Sequence, residues 1–179
     1  MLEALITEIK TEFPSFRMVK KSDSRLMKVI HAFLIVLTFG QMRAFMDGYI
    51  TTIGYTIYTS SSWDGMRETS KATVLRHERI HLRQQKRWTR PLFSFLYLIP
   101  FFPFFFAYGR ARFEIEAYRE SVRATLEYQG AQALTEKYKD TLVSQFTTAS
   151  YGWMWIYKPT ITKWIDKAIE DALKEQGTK

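Results

Sequence analysis

Apolar and polar residues follow one another along most of this chain with helical spacing, interrupted once by a stretch of strand-like composition. The opening M-L-E-A-L-I-T-E-I-K sets acids among apolar residues and reads as a short amphipathic helix. It lacks the basic start and long apolar centre of a secretory signal. Ser22-Asp23-Ser24 offers several N-caps for R-L-M-K-V-I-H-A-F-L-I-V-L-T-F, an apolar helix ended by Gly40. Its uninterrupted apolar part is too short to span a membrane.

Residues 44–59 are rich in Tyr, Ile and Thr, with an Asp-Gly pair and a second glycine, and predict short antiparallel strands. S-S-S-W-D-G follows as a loop. A helix then begins near Met66–Ser70 and runs to about Trp88, before Pro91. After the very apolar stretch 91–108, a helix is expected from about Arg110 to Tyr128, broken by Gln129-Gly130, and another over 131–145. S-Y-G-W-M-W-I-Y-K-P reads as an aromatic loop or short strand. Thr160 can cap a last amphipathic helix reaching about Glu175. The sum is an α+β chain, mostly helical, with a small antiparallel sheet ahead of the long central helix. With 179 residues it suits a single domain over 1–179.

Composition narrows the chemistry. There is no cysteine, so thiolate metal sites, disulfides and cysteine nucleophiles are excluded. Any metal must be held by His, Asp or Glu. The net charge of +8 permits anionic partners, but the basic residues are scattered and no basic-aromatic reader motif is present, so no specific nucleic-acid partner is expected.

Of three histidines, two stand in R-H-E-R-I-H-L-R-Q-Q at 76–85. On a helix, positions i and i+4 lie one above the other, so His77 and His81 can offer two imidazoles to one ion. Glu78 is rotated by about 100° from His77. It is placed to act on a water at that ion, as a general base, rather than to ligate it. Zinc suits two imidazoles and a carboxylate with an open fourth position. No histidine follows His81, so the third ligand must be acidic. R-F-E-I-E-A-Y-R-E on the next long helix supplies it: Glu116 as ligand, with Glu120 on the same face as a hydrogen-bonding partner of a ligand imidazole, and Glu114 as the second choice of ligand. His31 reads as a core or interface histidine.

Glu116-Ala117-x-x-Glu120, together with His77-Glu78-x-x-His81, resembles the gluzincin class of zinc metallopeptidases, in which Asp is usual where Glu120 stands. H-E-R-I-H-L-R-Q-Q, the upstream T-T-I-G-Y-T-I-Y and R-F-E-I-E-A-Y resemble small bacterial and phage-encoded peptidase-like proteins with an H-E-x-x-H-x-x-Q-Q motif. The resemblance covers roughly residues 50–125. It implies a zincin-like domain, a Zn²⁺ cofactor, a peptide or protein substrate, and hydrolysis by metal-activated water. It implies also an edge strand that binds extended substrate, here Gly54, Tyr55, Thr56, Ile57, Tyr58 and Thr59, and a residue that stabilises the oxyanion, for which Tyr151 and Tyr157 are candidates. The expected location is cytoplasmic or virion-associated.

The run 92–108 is nearly long enough to cross a bilayer. Crossing would put the two histidines and Glu116 on opposite sides, and Pro100 and Pro103 oppose a straight span. Three readings remain: buried core, an interface with assembly partners, or membrane association without spanning. The rival function is a structural or assembly component, for example of a phage particle, whose metal site is vestigial or structural.

Overall fold

The computed structural model describes residues 1–37, 39–40, 42–98, 108–148, 154 and 157–178. They form eight α-helices and three strands, so the α+β expectation holds, with helix dominant. The chain divides into two compact units, Met1–Glu78 and Arg79–Lys179, and the division falls inside one unbroken helix.

In the first unit, α1 (Leu2–Glu12) buries Leu5 and Ile9 and leads to β1 (Arg17–Lys20). A 3₁₀ turn at Lys21–Asp23 follows, then α2 (Arg25–Leu37) and the one-turn α3 (Phe45–Gly48). Ser24 caps α2: its hydroxyl accepts the Met27 N–H at 3.3 Å. Strands β2 (Thr51–Ile53) and β3 (Thr56–Thr59) form a hairpin whose two-residue turn is Gly54-Tyr55. Gly54 has φ 59° and Tyr55 has no positive φ, the arrangement of a type II′ turn, which takes glycine at its first position.

The sheet is mixed rather than antiparallel. Its order is β1-β3-β2, with β3 antiparallel to β2 and parallel to β1. β1 escaped sequence reading because four residues, R-M-V-K, carry little alternation and their partner lies far along the chain.

Helix α4 (Glu68–Trp88) carries the H-E-x-x-H motif and spans the division. In the second unit, α5 (Arg90–Leu98) precedes α6 (Tyr108–Gln129), which Gly130 ends at φ 80°. α7 (Glu136–Thr147) begins where Thr135 accepts the Tyr138 N–H, and α8 (Lys158–Gly177) begins with Pro159 in its first turn, ahead of the expected Thr160 cap. The core of this unit is one seam: Ile115, Val122 and Leu126 of α6 against Phe146 of α7 and Ile161 and Ile165 of α8. That seam holds α6 in a fixed rotation about its axis, and the rotation decides which of its acids face α4.

The apolar run is described only as far as Leu98. There Phe93 is buried, while Leu92 and Phe95 are exposed. Residues 99–107 lie outside the described set. No described helix is long and apolar enough to cross a membrane.

Candidate metal centre

His77 and His81 stand one turn apart on α4, as their spacing requires. Among the described residues, the one group of three that can hold a metal ion is His77, His81 and Glu114, whose ligand atoms all lie within 4.8 Å of one another. Glu114, on α6, is 1% exposed and His81 is 6% exposed. The carboxylate brought to the histidines is therefore Glu114 and not the expected Glu116. Two positions apart on a helix means about 200° of rotation, so the two acids leave α6 on different sides and only Glu114 joins the histidine pair. Glu116 is exposed, and it accepts a hydrogen bond from Gln84 Nε2 at 2.9 Å.

Gln84 is the residue that sequence reasoning passed over. It is buried, and its side-chain amide is held at both ends. Nε2 donates to the Phe113 carbonyl at 3.0 Å and to Glu116, both of which only accept. Oε1 lies 2.9 Å from His81 Nδ1. An amide oxygen can only accept, so Nδ1 is the donor, and in the neutral imidazole Nε2 is the nitrogen with the lone pair. That Nε2 lies 3.4 Å from Glu114 Oε1. Two ligand atoms each about 2.0–2.2 Å from one tetrahedral ion stand about 3.4 Å apart, so the pair already has the edge length of a zinc site. The donor set, two imidazoles and a carboxylate without sulfur, also fits zinc and leaves a fourth position. Glu120 lies 3.9 Å from Arg123, and Gln84 meets His81 at Nδ1.

An aromatic wall surrounds the His81–Glu114 pair. Tyr97 donates its hydroxyl to Glu114 Oε1 at 2.5 Å and sets its ring edge-on to His81 at 6.0 Å. Phe93 stacks on Tyr97 and packs on Phe113. Such packing fixes the orientation of the His81 ring and the Glu114 carboxylate. The signal for Tyr97 was present in the apolar run, but nothing in the sequence tied it to a carboxylate.

Glu78 is buried at 6% exposure, and Thr52 of β2 donates its hydroxyl to Oε2 at 2.5 Å. Lys21 is buried in the same unit. Its ammonium donates to the Phe45 carbonyl at 2.7 Å and lies 3.6 Å from the centroid of the Phe45 ring. Burial pushes the Lys21 pKa down to about 8, against the opposing pull of the Glu78 negative charge.

The remaining expected residues fall elsewhere. Gly54 and Tyr55 form the hairpin turn, and Thr56–Thr59 form the central strand, hydrogen-bonded on both sides. A central strand has no edge to offer, so strand addition to Gly54–Thr59 does not fit this sheet; its edges are β1 and β2. Tyr157 is the exposed N-cap residue of α8, and Tyr151 lies outside the described residues. No family, curated protein or solved structure matches the chain.

Proposed function

We propose that the protein is a zinc-dependent metallopeptidase of zincin-like design, with His77, His81 and Glu114 as the metal-holding residues. The observation that carries this reading is the convergence of two helix-borne imidazoles and one buried carboxylate within 4.8 Å. The orientation of His81 by Gln84 supports it.

Bound zinc would acidify a water and polarise a peptide carbonyl. The chain's own part is to hold and move a proton. Glu78 is the general base of the proposal. Thr52 occupies its Oε2, which leaves Oε1 as the oxygen that takes the proton and later returns it to the leaving amine. Tyr97 and Gln84 keep the ligands fixed while this happens.

A second reading, an assembly component with a structural metal site, is favoured by the exposed Trp88, Leu92 and Phe95. Elemental analysis and a hydrolysis assay on unfolded protein substrate separate the two. The peptidase reading expects about one zinc per chain, lost in Glu114→Ala and kept in Glu116→Ala. It expects Glu78→Gln to keep zinc and lose hydrolysis. Zinc present without hydrolysis in the parent leaves the assembly reading; absence of zinc after reconstitution removes the metal from both.

A further inference from the structure

Helix α2 turns its apolar side outward. Val29, Phe33 and Val36 are 67%, 63% and 76% exposed, and Leu26 is also exposed, whereas Met27 on the opposite side is fully buried. At 100° per residue the four exposed side chains, with Ala32, fill one broad arc of the helix. The stripe continues past the helix end. Gly40 N–H bonds to the Ile35 carbonyl at 2.8 Å and Phe39 N–H to the Val36 carbonyl at 3.3 Å, which is a Schellman closure. The left-handed position in that closure belongs to Phe39, at φ 50°, where glycine is usual. The Phe39 side chain, 96% exposed, thus follows the stripe at the helix end.

Charge decides among the occupants of such a face. α2 contains no Asp or Glu. Arg25 and Lys28 are exposed beside the first turns of the stripe, and the Arg43 guanidinium lies next to Gly40 at its other end. A second copy would bring the same cations against these, with no acid on α2 to pair with them, so self-association through this face is opposed. The width of the arc also exceeds a narrow coiled-coil seam. An anionic bilayer surface satisfies both features, accepting the apolar side chains at the headgroup boundary and the cations among the phosphates. The helix has 13 residues, about 20 Å, which is enough to lie in the interface and too short to cross it.

We propose that the outward face of α2, from Leu26 to Phe39 with Arg25, Lys28 and Arg43 at its ends, docks the protein on anionic phospholipid bilayers. Flotation of the full chain with vesicles tests this. One set is an equal mixture of phosphatidylglycerol and phosphatidylcholine, and the other is phosphatidylcholine alone. The expected result is binding to the anionic set, weakened on going from about 0.05 M to about 0.5 M salt. Phe33→Ser with Val36→Ser should lower affinity about tenfold or more. Lys28→Glu should lower it about fivefold or more. These positions are exposed, and circular dichroism of each variant checks that it stays folded. Equal binding by parent and the Phe33→Ser/Val36→Ser variant would overturn the proposal, as would absence of binding to either vesicle. A lipid-free dimer that Phe33→Ser dissociates would overturn it too, and would give the face to a second copy.

Discussion

Gln84 Oε1 accepts from His81 Nδ1 at 2.9 Å while Gln84 Nε2 is anchored by the Phe113 carbonyl and Glu116. The glutamine therefore ties the rotation of an α4 histidine to the backbone of α6. Replacing it with Met keeps the volume and removes the acceptor. Gln84→Met should weaken zinc binding about 10- to 100-fold, read by competition with a chelator of known affinity. Unchanged affinity would mean that packing alone holds the His81 ring.

Thr52→Val removes one hydrogen bond from the proposed base and leaves the proposed metal ligands alone. Zinc content should stay at the parental level while kcat falls about tenfold, as expected for losing a hydrogen bond to a charged group. A change in KM alone would place Thr52 in substrate binding instead.

Gly109 sits where α6 passes close to α5. A Cβ at this position would lie 2.6 Å from the Leu96 carbonyl oxygen, which is backbone and cannot swing away. Gly109→Ala should cost about 1–3 kcal/mol through overpacking. In a thermal melt that is a drop of roughly 2–12 °C. Because α5 also carries Tyr97 against Glu114, weaker zinc retention should accompany the loss.

Lys21 supplies a pH signature. Its folded pKa, about 8, lies below the ordinary value of 10.5. Between those two values the unfolded chain binds more protons than the folded one, so stability contributed through Lys21 rises as pH increases from about 8 to 10.5. Below pH 8 the group is charged in both states and the cost of burying the charge is fully present. Denaturant unfolding across this range should show the parent gaining stability relative to Lys21→Met as pH rises from about 8 to 10.5, with the rise absent in the variant. Parallel curves would mean that Lys21 titrates normally.

The long helices were legible because apolar spacing, Ser24 and Gly130 mark faces and ends locally, whereas α3 stands in a stretch read as strand, α5 lies in the unassigned apolar run, and α7 starts at Glu136 rather than 131. So were the paired histidines, since i, i+4 on one helix needs no tertiary information. The carboxylate that joins them was legible only as the second choice. Glu114 and Glu116 are equivalent as text, and only the packing of Ile115, Val122 and Leu126 against α7 and α8 turns one inward. The sheet was legible only in its β2–β3 hairpin, for a related reason. Nothing in T-I-Y-T announces that β1, far upstream, will occupy its second edge. Gln84 was visible in the motif, but its role depends on a carbonyl from another helix.

The parallel pairing of β1 with β3 has a kinetic consequence. The β2–β3 hairpin closes over two residues and can form early, in about 1–10 μs by the usual timescale of hairpins. β1 can join only after the chain from Lys21 to Tyr55, with α2 and α3 inside it, has been looped back alongside. The entropy of that closure must be met before the parallel ladder rewards it. Docking of the four-residue β1 is therefore the late event in this unit's folding, and substitutions there should speed unfolding while leaving the folding rate nearly unchanged.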